Sequence, residues 1–498
     1  MTQEYRLFNG VKIINEPYFN RKGNKKNIGL YHPINNEIYF LNRAEWKTIE
    51  AIQNDDFESI NKKHISILEK NLIIHKNDEQ VKIELDYNPD NAQMYVKLTE
   101  ACNFSCPGCT TSIDRIPLNK AITLDLAKLE TYLESFAKSA NDKKMKTIKI
   151  KWAGGEPLLK MSYDLILQAQ NKINELKNKY PNLYIKQIVL TNGVFLDEKK
   201  AQFFKQNNIS LSVSLWGTGS VQDNSRKPRN KMETYEVITK NISAIDNFGL
   251  DYSVNYVLTP ANAHNFPEFI ETMWDINSPK FIGKNWSNKH PVTVFIAFFR
   301  PQSGISKELS EKMYSIMLKG LNRGFSKIKQ MIKNKVPIQS LSVIDYINLT
   351  GIAPYTCGSG INYVACGPEG AAPCHEDLFQ MKDNFERIKN GENILDIVNE
   401  KYKDTMQHLN GLTYFDSKSF DYLFLHGGLG CPRLRKAENN GDVSKFCSTT
   451  AFYKSFINNL LGLECMRIRS MQKQNLETIN NNSCMLNQPN ISIYGGEC

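Results

Sequence analysis

Met94-Tyr-Val-Lys-Leu98-Thr-Glu-Ala-Cys102-Asn-Phe-Ser-Cys106-Pro-Gly-Cys109 places an apolar, strand-like run directly ahead of three cysteines. In a reducing compartment, thiolates crowded in this way suit a soft metal centre better than a disulfide. The spacing fits an iron–sulfur cluster; it also fits a zinc knuckle, or chance clustering. Three ligands on four irons would leave one iron open to a substrate or cofactor.

Around this stretch the chain has the bulk of a soluble globular protein. Its 498 residues allow several cores, and 41% are hydrophobic against 23% charged. The net charge is +10. The lysines are interspersed with glutamates along helical stretches, which describes a solvated surface with some preference for an acidic partner peptide. No basic and aromatic array marks a nucleic-acid binder. Met1–Arg6 lacks a signal-peptide pattern and no apolar run reaches membrane-spanning length, so a cytoplasmic, reduced protein without membrane contact is expected. Eleven cysteines there call for a metal or redox role.

Residues 1–90 read as a separate module. Arg6-Leu7-Phe8, Val11–Ile14, Ile28–Tyr31 and Glu37–Leu41 suggest short strands. Helical patterns follow, one with Trp46, Ile49 and Ile52 on one face and another with Ile60, Ile65 and Leu68. Leu72–Ile74 would close the module as a strand. From 93 to 335 strand and helix alternate. Strands are expected at Tyr95–Leu98, Thr147–Trp152, Tyr184–Leu190, Ile209–Leu215, Tyr252–Leu258 and Val292–Phe299. Helices are expected over 124–138, 161–179, 197–207, 233–248, 263–276 and 306–333. This rhythm predicts an α/β fold, a partial parallel barrel. Functional residues of such a fold gather at the C-terminal strand ends. The motifs fall there: Cys102–Cys109 after the first strand, Gly154-Gly155-Glu156-Pro157 after the second, Thr191-Asn192-Gly193 after the third and Trp216-Gly217 after the fourth.

A Gly-Gly-Glu-Pro turn alone is a strand-to-helix connector, with glycines for close backbone approach and a proline to set the turn. Together with the three-cysteine loop and the barrel rhythm it resembles the radical S-adenosylmethionine (SAM) enzymes. That resemblance implies a partial (β/α)6 TIM-like barrel in which Cys102, Cys106 and Cys109 hold a 4Fe–4S cluster. SAM would chelate the open iron and be cleaved by one electron to a 5′-deoxyadenosyl radical, which removes a hydrogen atom from the substrate. The electron would come from a donor such as flavodoxin or ferredoxin. The resemblance further implies SAM contacts from Gly154, Gly155, Glu156, Pro157, Asn192, Ser214 and Arg226. Glu156 would meet the amino group and Arg226 the carboxylate, unless Arg226 is an exposed loop charge. The chain departs from the family at Gly108, where an aromatic is common, and at Trp216, where an aspartate is common.

Residues 350–450 lose the barrel rhythm and gain cysteines among glycine-rich turns. Their order resembles the SPASM or twitch extension of peptide maturases, which implies first auxiliary-cluster ligands at Cys357, Cys374 and Cys431, a candidate fourth at Cys366, and Cys447 as the lone survivor of a second cluster's ligands. Two family cysteines fall at Ser417 and Phe420 and a third at His426, which implies one auxiliary 4Fe–4S cluster rather than two. Cys366 is open between a ligand, a hydrogen donor to a substrate radical, and a buried small residue. His426 is open between a ligand and a hydrogen-bonded histidine. Residues 466–498 form a polar tail. Residues 1–90 resemble the winged-helix RiPP recognition element, which binds the leader of a ribosomally made precursor peptide along a sheet edge. The expected function is therefore an oxidoreductase that matures a precursor peptide by crosslinking, oxidation or epimerisation. A sulfatase-maturating enzyme making formylglycine is the enzymatic alternative. A non-catalytic iron–sulfur scaffold is the alternative of another class.

Overall fold

The computed structural model describes residues 5–8, 11–14, 28–32, 37–41, 43–56, 58, 60, 62–71, 73–76, 82–84, 89–107, 109, 116–277, 281–282, 285–286, 292–298, 306–334, 341–342, 353–355, 357–380, 384–403, 413–415, 426–439, 452, 455–456, 458–463 and 465–466. Gly108, Ser417, Phe420, Cys447, Cys484, Cys498 and the tail beyond 466 lie outside these residues.

The N-terminal elements are β1 (Tyr5–Leu7), β2 (Lys12–Ile14), β3 (Ile28–His32), β4 (Glu37–Leu41), α1 (Arg43–Gln53), α2 (Lys62–Lys70) and β5 (Ile74–Lys76). β2, β3 and β4 make an antiparallel sheet, and β1 pairs antiparallel with β5. Ile49 and Ile52 share one face of α1 by their three-residue spacing, and they are buried in one core with Leu30, Leu41 and Leu68. The strand expected at Leu72–Ile74 begins later. The Ile73 N–H still donates to the Leu68 carbonyl at 2.8 Å, so the chain is closing off α2 until that point.

After β6 (Lys82–Glu84) comes the part of the chain that builds the large sheet. Its elements run β7 (Asn91–Lys97), α3 (Leu126–Asp142), β8 (Thr147–Ala153), α4 (Lys160–Lys179), β9 (Tyr184–Thr191), α5 (Glu198–Gln206), β10 (Ile209–Ser214), α6 (Gly219–Ser225), α7 (Tyr235–Phe248), β11 (Tyr252–Leu258), α8 (Phe266–Asn277), β12 (Phe281–Ile282), β13 (Asn285–Trp286), β14 (Val292–Phe298), α9 (Lys307–Lys333) and β15 (Leu341–Ser342). β7, β8, β9, β10, β11, β14 and β15 lie side by side, each parallel to the next. Among the described residues, β12 and β13 pair only with each other. Strand alternation sends Ile148, Ile150 and Trp152 to the helix-covered face, where all three are fully buried. Each such isoleucine contributes about 1.5–3 kcal/mol relative to exposure. On that face the Trp152 Nε1–H donates to Gln187 Oε1 at 3.0 Å, and the Gln187 and Gln170 amides exchange two hydrogen bonds, so a polar network inside the core is satisfied. Asp125 caps α3 by accepting from the Lys128 N–H at 2.8 Å.

The C-terminal part contains β16 (Ala353–Tyr355), β17 (Tyr363–Gly367), β18 (Gly370–Ala372), α10 (Phe385–Lys389), α11 (Ile394–Asn399), β19 (Thr413–Phe415), β20 (His426–Gly430) and α12 (Pro432–Glu438). The lost strand rhythm expected here gives way to a finding: β17 joins the large sheet, parallel to β7, and β18 folds back on it. Tyr363-Val-Ala-Cys-Gly367 is an apolar run whose strand character was masked by its cysteine. Among the described residues the sheet ends at β15 on one side and β18 on the other, and these ends do not pair, so no closed barrel is formed.

Candidate functional site

The three-cysteine loop leaves β7 and is held from two sides. On one side, the Leu98 N–H donates to the Ala153 carbonyl, Gly155 N–H to Thr99 at 2.7 Å and Glu156 N–H to Ala101 at 2.9 Å. On the other, Ser105 N–H donates to the Lys227 carbonyl at 2.7 Å and Arg229 Nε to the Cys102 carbonyl at 3.0 Å. The glycines of the Gly-Gly-Glu-Pro turn are required by this contact. A Cβ on Gly155 would lie 1.8 Å from the Ala101 carbonyl oxygen; Gly154 has φ +126° and its Cβ would lie 2.7 Å from the Thr99 oxygen. Pro157 is buried, two residues ahead of Leu159, the N-cap of α4.

Glu156 is 1% exposed, and its carboxylate is occupied by its own chain. Oε1 accepts from Thr191 Oγ1 at 2.6 Å and from the Leu158 N–H at 3.0 Å; Oε2 accepts from the Asn192 N–H at 2.8 Å. Burial raises its pKa, while these donors and Arg226 pull it back. The residue expected to meet SAM therefore ties the end of β8 to the end of β9. Asn192 is similarly engaged, its amide donating to Asn103 Oδ1 in the cysteine loop at 2.7 Å. Glu156→Gln would set an amide N–H against one of these donors. It is expected to cost about 1–3 kcal/mol, read as a lower melting temperature, with Thr191→Val smaller.

Cys102 and Cys106 are buried and Cys109 is half-buried. Burial, then the Glu156 carboxylate, push the Cys102 thiol up to about 12, with Cys106 adding and Arg226 opposing. Without a metal it is a neutral thiol at pH 7, and ligation would release its proton. Arg226 is not an exposed loop charge. It is 8% exposed and stacks between Phe104 and Trp216, with ring centroids 5.2 and 5.1 Å away. One of its terminal N–H groups donates to the Ser214 carbonyl at 2.6 Å. Ser214 thus contributes its backbone at the end of β10.

Four buried polar atoms around this corner have no partner: Arg226 Nε, Trp216 Nε1, Gln222 Nε2 and Asn255 Oδ1. Three donors and one acceptor left unpaired are costly unless a polar ligand meets them. A carboxylate, ribose hydroxyls and a purine edge would satisfy them, so the residues present fit SAM. Sequence reasoning missed Gln222 and Asn255. The available signal was Ser253 and Asn255 alternating with the buried Val254 and Tyr256 on β11.

A second group forms across the sheet. β16 and β20 are parallel, with Tyr355 opposite Gly430, so the chain segments leaving them carry Cys357 and Cys431 to the same end. Cys374 joins them. Its thiol is pushed well up by burial, and the Cys357 and Cys431 thiols add to the shift. This donor set of three thiols suits a soft metal centre. Asp377 is 2% exposed and accepts from Arg433 Nε at 3.1 Å and from the Tyr402 hydroxyl at 2.9 Å, while Arg433 also donates to Glu376 at 2.7 Å. This network fastens the Cys374 segment to the Cys431 segment. The structure does not bring Cys366 to the trio. It stands opposite Val96 and Ala371 on the helix-covered face, fully buried, and burial raises its pKa. His426 starts β20, at the other end of that strand from Cys431. Cys447 lies outside the described residues. Among the described residues, no group of three or more His, Cys, Asp or Glu side chains is set to hold a metal ion, at either cysteine group.

Tyr95, on the opposite face of β7 from Val96, lies between the two cysteine groups. Burial raises its pKa, and both Cys109 and Cys374 add to the rise. His375 stacks on Tyr95 with centroids 5.0 Å apart and its Nδ1 is 3.1 Å from the Tyr363 hydroxyl. At the tip of the β17–β18 hairpin Glu369 pairs with Lys97, a fully buried lysine that also donates to Glu100 at 3.1 Å. The hairpin is thereby fixed to the root of the first cysteine loop.

Comparison with known proteins agrees with this geometry. The chain is 25% identical over 193 residues to a cysteine-type anaerobic sulfatase-maturating enzyme of Clostridium novyi, covering 36% of this chain and 50% of that protein. It is 26% identical over 160 residues to a serine-type anaerobic sulfatase-maturating enzyme of Klebsiella aerogenes, covering 32% and 37%. The chain thus spans half or less of the length of these curated relatives. The solved structure of native anSMEcpe with bound AdoMet superposes with a TM-score of 0.53 at 18% identity, covering 78% of this chain and all of that one, a likeness of fold. Residues 96–273 match the model of the Radical SAM superfamily, and this stretch, from the end of β7 into α8, is a radical SAM domain.

Proposed function

We propose that the protein is a radical SAM maturase acting on a ribosomally made peptide. The carrying observation is the corner where the three-cysteine loop meets the unpaired polar atoms of Arg226, Trp216, Gln222 and Asn255. Cys102, Cys106 and Cys109 hold the 4Fe–4S cluster. Arg226 and Trp216 orient SAM, and Glu156 and Asn192 keep the surrounding turns fixed. When bound, the pair supplies a carbon-centred radical able to remove a hydrogen atom from a substrate. Arg226, shielded by two aromatic rings, keeps its charge away from water, which strengthens its pull on a carboxylate.

Cys357, Cys374 and Cys431 would hold one auxiliary cluster, which would supply an electron acceptor or a substrate ligand beside the peptide. The parallel approach of β16 and β20 supports this ligand set. The sheet of β2, β3 and β4 receives the leader of the precursor peptide, as a RiPP recognition element would, and a flavodoxin or ferredoxin delivers the electron. A structural neighbour with bound AdoMet and Cp18Cys peptide is consistent with a peptide substrate. The decisive measurement is deuterium transfer from a labelled precursor peptide into 5′-deoxyadenosine. Transfer is expected. Reductive SAM cleavage that leaves the label in a peptide the protein binds would sink the reading.

Sulfatase maturation is the second reading, favoured by the named relatives. It requires a base near the substrate thiol or hydroxyl, and the residue after Cys374 is His375, stacked on Tyr95. Formylglycine appearing in a sulfatase-derived peptide would select this reading over the first.

A further inference from the structure

The face of the sheet opposite the helices has an unusual lining on β8 and β9. Alternation around Ile148, Ile150 and Trp152, all fully buried on the helix side, sends Lys149 and Lys151 to the inner face. On β9, Ile185, Gln187 and Val189 are buried on the helix side and Lys186 projects inward. Lys149 and Lys186 stand directly opposite each other in the parallel register. Adjacent strands are about 4.8 Å apart, so two ammonium-bearing stems rise side by side. Lys151 is in register with Tyr95, and its ammonium lies 5.9 Å from the Tyr363 ring. The basic row therefore leads to the aromatic platform between the two cysteine groups.

The interior of a (β/α) barrel is usually filled by branched apolar side chains. An apolar cluster of Tyr95, Ala153 and Tyr363 fills one part of this face, but the part lined by Lys149, Lys151 and Lys186 cannot pack that way, because half-buried lysines need water or a counter-charge. Like charges directly opposed across strands destabilise a sheet. Among the described residues, neither Lys149 nor Lys186 forms an ion pair with a carboxylate. Lys149 and Lys151 are two residues apart on one strand, a spacing of roughly 6.6 Å. The same step separates alternate side chains of an extended peptide.

We propose that this inner face binds an acidic segment of the substrate peptide, with Asp or Glu at alternate positions of an extended stretch meeting Lys149, Lys151 and Lys186. The proposal rests on the reading of the protein as a peptide maturase and names the charge class of its substrate. Matching charge and matching repeat favour a peptide over a free small anion, which would have no use for the row.

The test uses the full chain, reconstituted anaerobically, and fluorescein-labelled peptides of alternating Glu and Gly or alternating Gln and Gly, with anisotropy as readout. No SAM or reductant is added, so failure here leaves SAM cleavage and hydrogen transfer standing. Conversely, a chain that binds the peptide and cleaves no SAM overturns only the earlier reading. The Glu peptide is expected to bind more tightly than the Gln peptide. Lys149→Gln/Lys151→Gln/Lys186→Gln is expected to weaken it about tenfold, equivalent to about 1.4 kcal/mol. A charge-matched variant at the exposed Lys177, Lys199 and Lys240 should change it less than about twofold. Equal binding of the two peptides, or equal loss in both variants, overturns the proposal. If the inner triple variant fails to fold, Lys149→Gln and Lys186→Gln are measured singly. Each should weaken the Glu peptide and, by relieving repulsion, leave the melting temperature unchanged or higher; unchanged peptide affinity in both overturns the proposal.

Discussion

Gly155→Ala yields a chain that loses the three-cysteine loop. The added carbon would sit 1.8 Å from the Ala101 carbonyl oxygen, and neither partner is free to yield. Gly155 N–H is bonded to Thr99 and Glu156 N–H to Ala101, so the turn and the loop are pinned at the very atoms that would have to part. The expected destabilisation exceeds about 3 kcal/mol, the upper part of the range for overpacking. Iron incorporation at the first site should fall with it. Gly391→Ala is the control. Gly391 has positive φ, +92°, which Gly155 does not, but nothing lies within 4 Å of its added Cβ, so only backbone strain of about 1–2 kcal/mol is at stake. Similar melting curves for the two variants would refute the close-contact account.

Removing the first thiol trio is expected to abolish reductive SAM cleavage. In a Cys102→Ala/Cys106→Ala/Cys109→Ala variant, 5′-deoxyadenosine should fall to the background of reductant alone and the chain should lose about four irons. Cys357→Ala/Cys374→Ala/Cys431→Ala should separately lose about four irons, and deuterium transfer should no longer lead to modified peptide. The two variants read the two sites independently. The parent is expected to carry about eight irons. A third full cluster per chain would contradict the single auxiliary cluster, and retained SAM cleavage in the first variant would contradict the assignment of its ligands.

Much of this was legible because the informative signals were local. The six parallel strands β7, β8, β9, β10, β11 and β14 showed themselves by apolar alternation, and the three-cysteine loop by its spacing. What escaped depended on pairing between distant residues. Cys366 looked like a ligand because it lies among cysteines in sequence. Strand parity turns it to the helix side, and only the pairing with β7 and β18 reveals that parity. Glu156 was read as a SAM contact from its turn alone; that its carboxylate also accepts from Thr191 and from the Asn192 N–H, at the next strand's end, was not foreseen. Arg226 was open between two readings until Phe104, from the cysteine loop, and Trp216 closed on its guanidinium. Asn255 showed only its place in the β11 alternation and Gln222 gave no signal, because being unpaired is a property of surroundings.

The pairing of β17 with β7 also bears on how the chain is made. β7 emerges early and pairs with β8 on one edge, but its other edge has no partner until β17 has been synthesised. The Lys97–Glu369 contact that fastens the hairpin tip spans 272 residues. At typical synthesis rates that gap lasts roughly 15–55 s. For that interval a nascent chain exposes an unpaired parallel strand beside the thiols of the first loop, where another chain could add to it. The β17–β18 hairpin thus acts as a closing seal of the sheet, and the root of the first cysteine loop is buttressed only once the 272 residues from Lys97 to Glu369 have been made.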